Sequence, residues 1–169
     1  MSTLPRDNKK LALRAVLLTL TIVAGYAESV IAFEYAVPGV KLGLSNAVVL
    51  TGLYLLSFWD AFAIVFFKCA ANSFLFGSPG AFVFSVCGSL LSLFGMFFFM
   101  KMMKRKISPV GVSVVGAVLH NVGQIAAASL ILGTVKIAYY LPVLLVSGVA
   151  AGFATGVVVR YTLRVIHFR

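Results

Sequence analysis

Of 169 residues, 62% are hydrophobic and 11% charged, with a mean hydropathy of +1.08. Soluble domains carry about 25% charged residues, so this composition excludes a water-facing surface and leaves a small integral membrane protein, too short for a second sizeable domain. The net charge of +10 would suit nucleic acid, but position argues against it. Arg6, Lys9, Lys10 and Arg14, then Lys101, Lys104, Arg105 and Lys106, then Arg160, Arg164 and Arg169 all flank apolar runs. Topology determinants and contacts to anionic lipid headgroups sit at such places, and no nucleic-acid partner is expected.

The first apolar span is expected over residues 11–32, long enough to cross a bilayer at about 1.5 Å per residue. Gly25-Tyr26-Ala27 resembles a signal-peptide cleavage site, so a cleaved leader is one reading. An uncleaved helix is favoured, because the apolar run continues through Ser29, Val30 and Ile31. Glu34, Pro38 and Gly39 form a turn cluster, followed by a second span over 42–58. Trp59 and Asp60 mark an interfacial connection to a third span, 60–76, which Gly77-Ser78-Pro79-Gly80 ends. Spans over 81–100, 109–132 and 138–159 complete the prediction: one all-α membrane domain covering 1–169, with six transmembrane helices. An even count puts both termini and the Lys101–Lys106 segment on one face, which the positive-inside rule makes cytoplasmic. Gly148, Gly152 and Gly156 form a doubled GxxxG that serves either packing within the bundle or a dimer face. Cys69 and Cys87 lie in apolar runs and read as small core hydrophobes. With only His120 and His167 beside them, they make no plausible zinc set, so no metal and no cofactor are expected.

Charged side chains at bilayer depth cost about 2.5–3.5 kcal/mol on insertion scales, so they face a cavity or a partner. Counting rise along each span places Lys68 roughly 13 Å below the outer end and Asn72 one turn nearer to it. Asp60, Lys68 and Asn72 share a face through Ile64. Gln124 lies roughly 14 Å below the outer end and His120 one turn deeper, on a face continued by Ala117 and Ser113. Glu28 is roughly 7 Å deep, with Ser45 and Asn46 at about the same level. Glu28, Lys41, Ser45, Asn46, Lys68, Asn72, His120, Asn121 and Gln124 are therefore the candidate substrate-binding residues. Lys68 and His120 would supply charge, the amides orientation, and the segment from Val37 to Leu44 an outer lid hinged at Pro38-Gly39.

Each residue also has a structural reading. Lys68 pairs with Glu28, the amides are interhelical glue, His120 is a satisfied core histidine or a proton relay, and Lys41 is an exposed rim residue. No catalytic set emerges. The chain has only four acidic residues, Asp7, Glu28, Glu34 and Asp60. It has no paired-carboxylate metal motif for diphosphate chemistry, no Ser-His-Asp arrangement and no phosphate-cradling glycine loop. An enzyme acting alone is not expected.

PGVKLGLSNAV after the first helix, KCAANSFLFG in the third and HNVGQ in the fifth resemble the Gx transporter family. That family is also labelled heptaprenyl diphosphate synthase component I, and is grouped with the S components of energy-coupling factor (ECF) transporters. The likeness runs from Leu11 to Arg164. It implies an S-component-like six-helix bundle that captures a vitamin- or cofactor-like solute from outside, driven by a coupling membrane protein and two ATPases. In S components a small-residue motif on the first helix docks that partner. Ala12, Ala15 and Thr19 make the corresponding small face here, at a different spacing. The family label implies a second function, a non-catalytic membrane subunit for heptaprenyl or polyprenyl diphosphate synthesis. That role predicts an apolar groove open to lipid rather than a closed polar cavity.

Overall fold

A computed structural model describes residues 6–34, 42–76, 79–103 and 106–167. Six α-helices carry the fold: α1 (Arg6–Glu34), α2 (Leu44–Leu55), α3 (Phe58–Phe76), α4 (Pro79–Met102), α5 (Pro109–Ile131) and α6 (Leu141–His167). A 3₁₀ turn, Val135–Tyr140, leads into α6. All but α2 are long and apolar enough to cross a membrane. The chain is an all-α, multi-pass membrane bundle.

Local sequence sets the helix ends. Ser57 and Asp60 form a capping box at the start of α3. The Ser57 hydroxyl accepts from the Asp60 amide at 3.3 Å, and the Asp60 carboxylate accepts from the Ser57 amide at 3.2 Å. Ser108 caps α5 by accepting from the Gly111 amide at 3.2 Å, with Pro109 at the first helical position, where its missing N–H costs nothing. Gly133, at φ +62°, closes the other end of α5, and the Thr134 amide donates to the Ser129 carbonyl at 3.2 Å. That is the Schellman arrangement, and it needs a residue that tolerates the left-handed region.

Helix α2 departs from the expected span over 42–58. Its 12 residues rise only about 18 Å, against about 30 Å of hydrocarbon. Leu56 is extended, its amide donating to the Gly52 carbonyl at 2.8 Å, and the Ser57 cap then starts α3. The short helix is surrounded: it touches each of the other five helices. Val49, Leu50 and Leu53 are buried against Ala61, Ile64 and Val65 of α3, Leu93 and Met96 of α4, Val112 of α5 and Val159 of α6. At about 1.5–3 kcal/mol for each large apolar side chain, α2 is the centre of the core. Leu20, Val23, Phe67, Phe98, Val146 and Phe153 point outward from the bundle, as a lipid-facing surface requires.

Glycines let α4, α5 and α6 approach closely. A Cβ at Gly123 would lie 2.9 Å from Gly88 Cα, one at Gly152 2.8 Å from Val114 Cα, and one at Gly156 2.6 Å from Val110 Cα. The doubled GxxxG of α6 thus packs against α5 within the chain. Cys69 is fully buried, and the Ser85 hydroxyl donates to its Sγ at 3.4 Å. Cys87 differs from the expectation and is exposed. Its neighbour Gly88 is turned toward α5, and adjacent helical side chains point about 100° apart.

Candidate functional site

The polar residues of the first three helices meet where α2 begins. Gly43, at φ +76°, precedes α2 and has no side chain to cap it. The carboxylate of Glu28, reaching across from α1, serves instead. Its Oε1 accepts from the Leu44 amide at 2.8 Å and its Oε2 from the Ser45 hydroxyl at 3.1 Å. The Ser45 hydroxyl in turn accepts from Lys68 Nζ of α3 at 3.1 Å. Glu28, Ser45 and Lys68 are 6%, 6% and 3% exposed. An ammonium and a carboxylate are thus joined through one hydroxyl, and the carboxylate also faces the positive end of the α2 dipole. This network offsets the desolvation of both charges and fixes α2 to α1 and α3.

Asn72 lies on the same side of α3, one turn from Lys68, with its amide nitrogen packed over Gly25 of α1. Only a glycine leaves room for it. Its Oδ1 is buried without a hydrogen bond. Asn46 is half-buried on α2. Lys41, and the Pro38-Gly39 hinge with most of the expected lid, lie outside the described residues.

The α5 residues divide between two neighbours. His120 is 6% exposed, and it packs with half-buried Gln124 over Gly88 of α4, where a Cβ would meet Gln124 Cγ at 2.7 Å and the His120 carbonyl at 2.8 Å. Asn121 turns to α6 and donates from Nδ2 to the Leu144 carbonyl at 2.5 Å, with Gly148 beneath it. The Ser113 and Thr155 hydroxyls make a second α5–α6 bond at 3.1 Å. Asn121→Ala should therefore cost about 1–2 kcal/mol in unfolding stability, because the buried Leu144 carbonyl loses a side-chain donor. Detergent unfolding measures it.

The expected partner-docking residues Ala12, Ala15 and Thr19 are all exposed on α1, with the Thr19 hydroxyl donating back to the Ala15 carbonyl at 2.9 Å.

The other end of α2 holds a feature that depth counting along the spans did not find. A recess of about 560 Å³ opens between the end of α2, the start of α3 and the end of α4. Leu53, Leu56, Phe58, Phe97 and Met100 form its walls, and Ser57 and Lys101 are its polar groups. Beside it Arg14 of α1 is paired with Asp60 at 2.8 Å, so the Asp60 carboxylate both caps α3 and holds α1. The signals available in the sequence were the Ser57-Phe58-Trp59-Asp60 cap and the Lys101 that starts the basic segment.

Among the described residues, no three His, Cys, Asp or Glu side chains gather in a group able to hold a metal. Comparison with curated proteins and with solved structures finds no match. The family model described as heptaprenyl diphosphate synthase component I matches residues 17–162, a range that takes in most of α1 and α6 and everything between them. With that match over nearly the whole bundle, the chain belongs to the heptaprenyl diphosphate synthase component I family.

Proposed function

We propose that this chain is a non-catalytic membrane subunit of a polyprenyl diphosphate synthase, working with a catalytic partner chain. The observation that carries this reading, beside the family match, is the use to which the carboxylates are put. Magnesium–diphosphate chemistry needs clustered carboxylates. Of the four acidic residues in the chain, Glu28 caps α2 and Asp60 caps α3 and binds Arg14. Asp7 stands in the first turn of α1 and Glu34 is its last residue. The catalytic carboxylates therefore belong to the partner, and this chain contributes a membrane platform. The positive-inside rule, applied to the clustered Lys and Arg residues, supports a cytoplasmic setting for both termini and for the end of the bundle with Arg14 and Lys101, where a soluble partner and a water-soluble diphosphate would meet. Co-expression with the catalytic subunit tests this reading through the dependence of long-chain product on this chain.

A second reading, uptake of a vitamin- or cofactor-like solute by an S-component-like carrier, is favoured by Lys68. A lysine 3% exposed at membrane depth is by default a functional residue, and Glu28, Ser45 and Asn72 lie around it. The small face of Ala12, Ala15 and Thr19 would then dock the energy-coupling membrane protein and its two ATPases. In that case a vitamin, flavin or nucleotide should raise the melting temperature in detergent, and Lys68→Met should abolish the shift.

A further inference from the structure

The recess at the end of α2 has the chemistry of an amphiphile site, and nothing in the family description assigns it a role. Its volume of about 560 Å³ lies within the roughly 300–1,000 Å³ of small-molecule sites. Its walls are apolar and partly aromatic. The Phe58 ring sits 4.6 Å from Phe97 and 5.5 Å from Phe94, centroid to centroid, in tilted contacts. Such a surface takes a hydrocarbon or isoprenoid chain through apolar burial.

Two polar residues join the apolar lining. Lys101, exposed in the last turn of α4, is the charged residue in the lining, and Ser57 adds a hydroxyl. A negative charge close by would oppose an anionic ligand, but the nearby carboxylate, Asp60, is held by Arg14 at 2.8 Å and by the Ser57 hydroxyl at 2.8 Å. Trp59, 73% exposed beside Phe58, stands where tryptophan anchors a membrane protein at the headgroup level. An exposed tryptophan and an exposed lysine beside apolar walls suit the level of the headgroups.

We infer that this recess binds a single-chain amphiphile with a phosphate or diphosphate head, the head on Lys101 and the chain against Phe58 and Phe97. A prenyl diphosphate and a membrane phospholipid share that chemistry. The inference goes beyond the subunit reading and does not need it: binding is measured on this chain alone, so loss of the synthase role would leave it standing.

Trp59 is the chain's single tryptophan, with its ring 5.5 Å from that of Phe58, so its fluorescence reports occupancy. The purified protein in detergent is titrated with farnesyl diphosphate, lysophosphatidylglycerol, farnesol and inorganic pyrophosphate, and its melting temperature is followed alongside. The expected result is a saturable change with at least one of the two phosphate-headed amphiphiles, at a midpoint about tenfold or more below those of farnesol and pyrophosphate. Response to the first amphiphile alone names an isoprenoid source, to the second alone a membrane lipid, and to both the shared chemistry. Lys101→Gln should weaken binding about tenfold, the scale of one lost charge-assisted contact, and Lys101→Arg should restore it. Lys101 is exposed, so both variants keep the fold. The inference is overturned if neither amphiphile changes fluorescence or melting temperature, if pyrophosphate alone matches them, or if Lys101→Gln binds like the parent.

Discussion

Glu28→Ala should destabilise the protein by about 3–5 kcal/mol, the range for breaking a buried charge pair from one side. Three things are lost together. The Leu44 amide loses its acceptor, the Ser45 hydroxyl loses its acceptor, and Lys68 loses the carboxylate to which Ser45 links it. The sites are 16 and 23 residues apart along the chain, so the loss also loosens three helices from one another. Glu28→Ala combined with Lys68→Met should recover part of the loss, because the second change removes the buried charge that Ser45 links to the Glu28 carboxylate. Unfolding in mixed micelles, single variants against double, gives the coupling energy. A loss below about 1 kcal/mol for Glu28→Ala would mean that the network does not hold the junction.

Gly152→Val carries the second large effect. Even a Cβ at this position would stand 2.8 Å from Val114 Cα, 3.0 Å from Ala117 Cβ and 3.1 Å from the Ser113 carbonyl. Two of those atoms belong to backbone, so α5 and α6 must move apart. Overpacking costs about 1–3 kcal/mol, and the shift also strains the Ser113–Thr155 and Asn121–Leu144 bonds on either side. The expected loss is about 3 kcal/mol or more. Ala150→Val, on the exposed face of α6, is the control and should stay within about 0.5 kcal/mol. Were the glycine stripe a dimer contact instead, Gly152→Val would change oligomeric mass and leave the monomer's unfolding intact.

The helical bundle is legible because lipid is a demanding solvent. Backbone polar groups must be satisfied inside each span, so long apolar runs between turn clusters have one outcome, and α1, α3, α4, α5 and α6 follow from it. Helix α2 shows where hydropathy is blind. The run from Leu42 continues through Leu55, Leu56 and Phe58, and nothing in its polarity says that Leu56 is extended. The sign was local: Ser57 and Asp60 are three apart, the spacing of a capping box, and reading them that way ends α2 before them.

The polar residues were found by depth, which fixes height but leaves azimuth open. Glu28 and Ser45 were placed at one level, and they do meet. That Glu28 would replace the missing cap at Gly43 needed the third dimension. Depth puts His120 and Asn121 in one candidate set, yet adjacent helical positions point about 100° apart. One faces Gly88 of α4 and the other the Leu144 carbonyl of α6. The recess was beyond reach for a different reason. Its walls come from the ends of three helices, and concavity leaves no periodic trace in a chain that is apolar nearly throughout.

The central claim, that this chain is the membrane subunit of a prenyl diphosphate synthase, is tested most directly by reconstitution. The catalytic partner is assayed in liposomes with and without this chain, using farnesyl and isopentenyl diphosphates as substrates and resolving product chain length. The account predicts that long-chain product requires this chain, and that Lys101→Gln lowers the rate without disturbing assembly. Equal product with and without it would contradict the account and leave solute uptake as the reading to pursue.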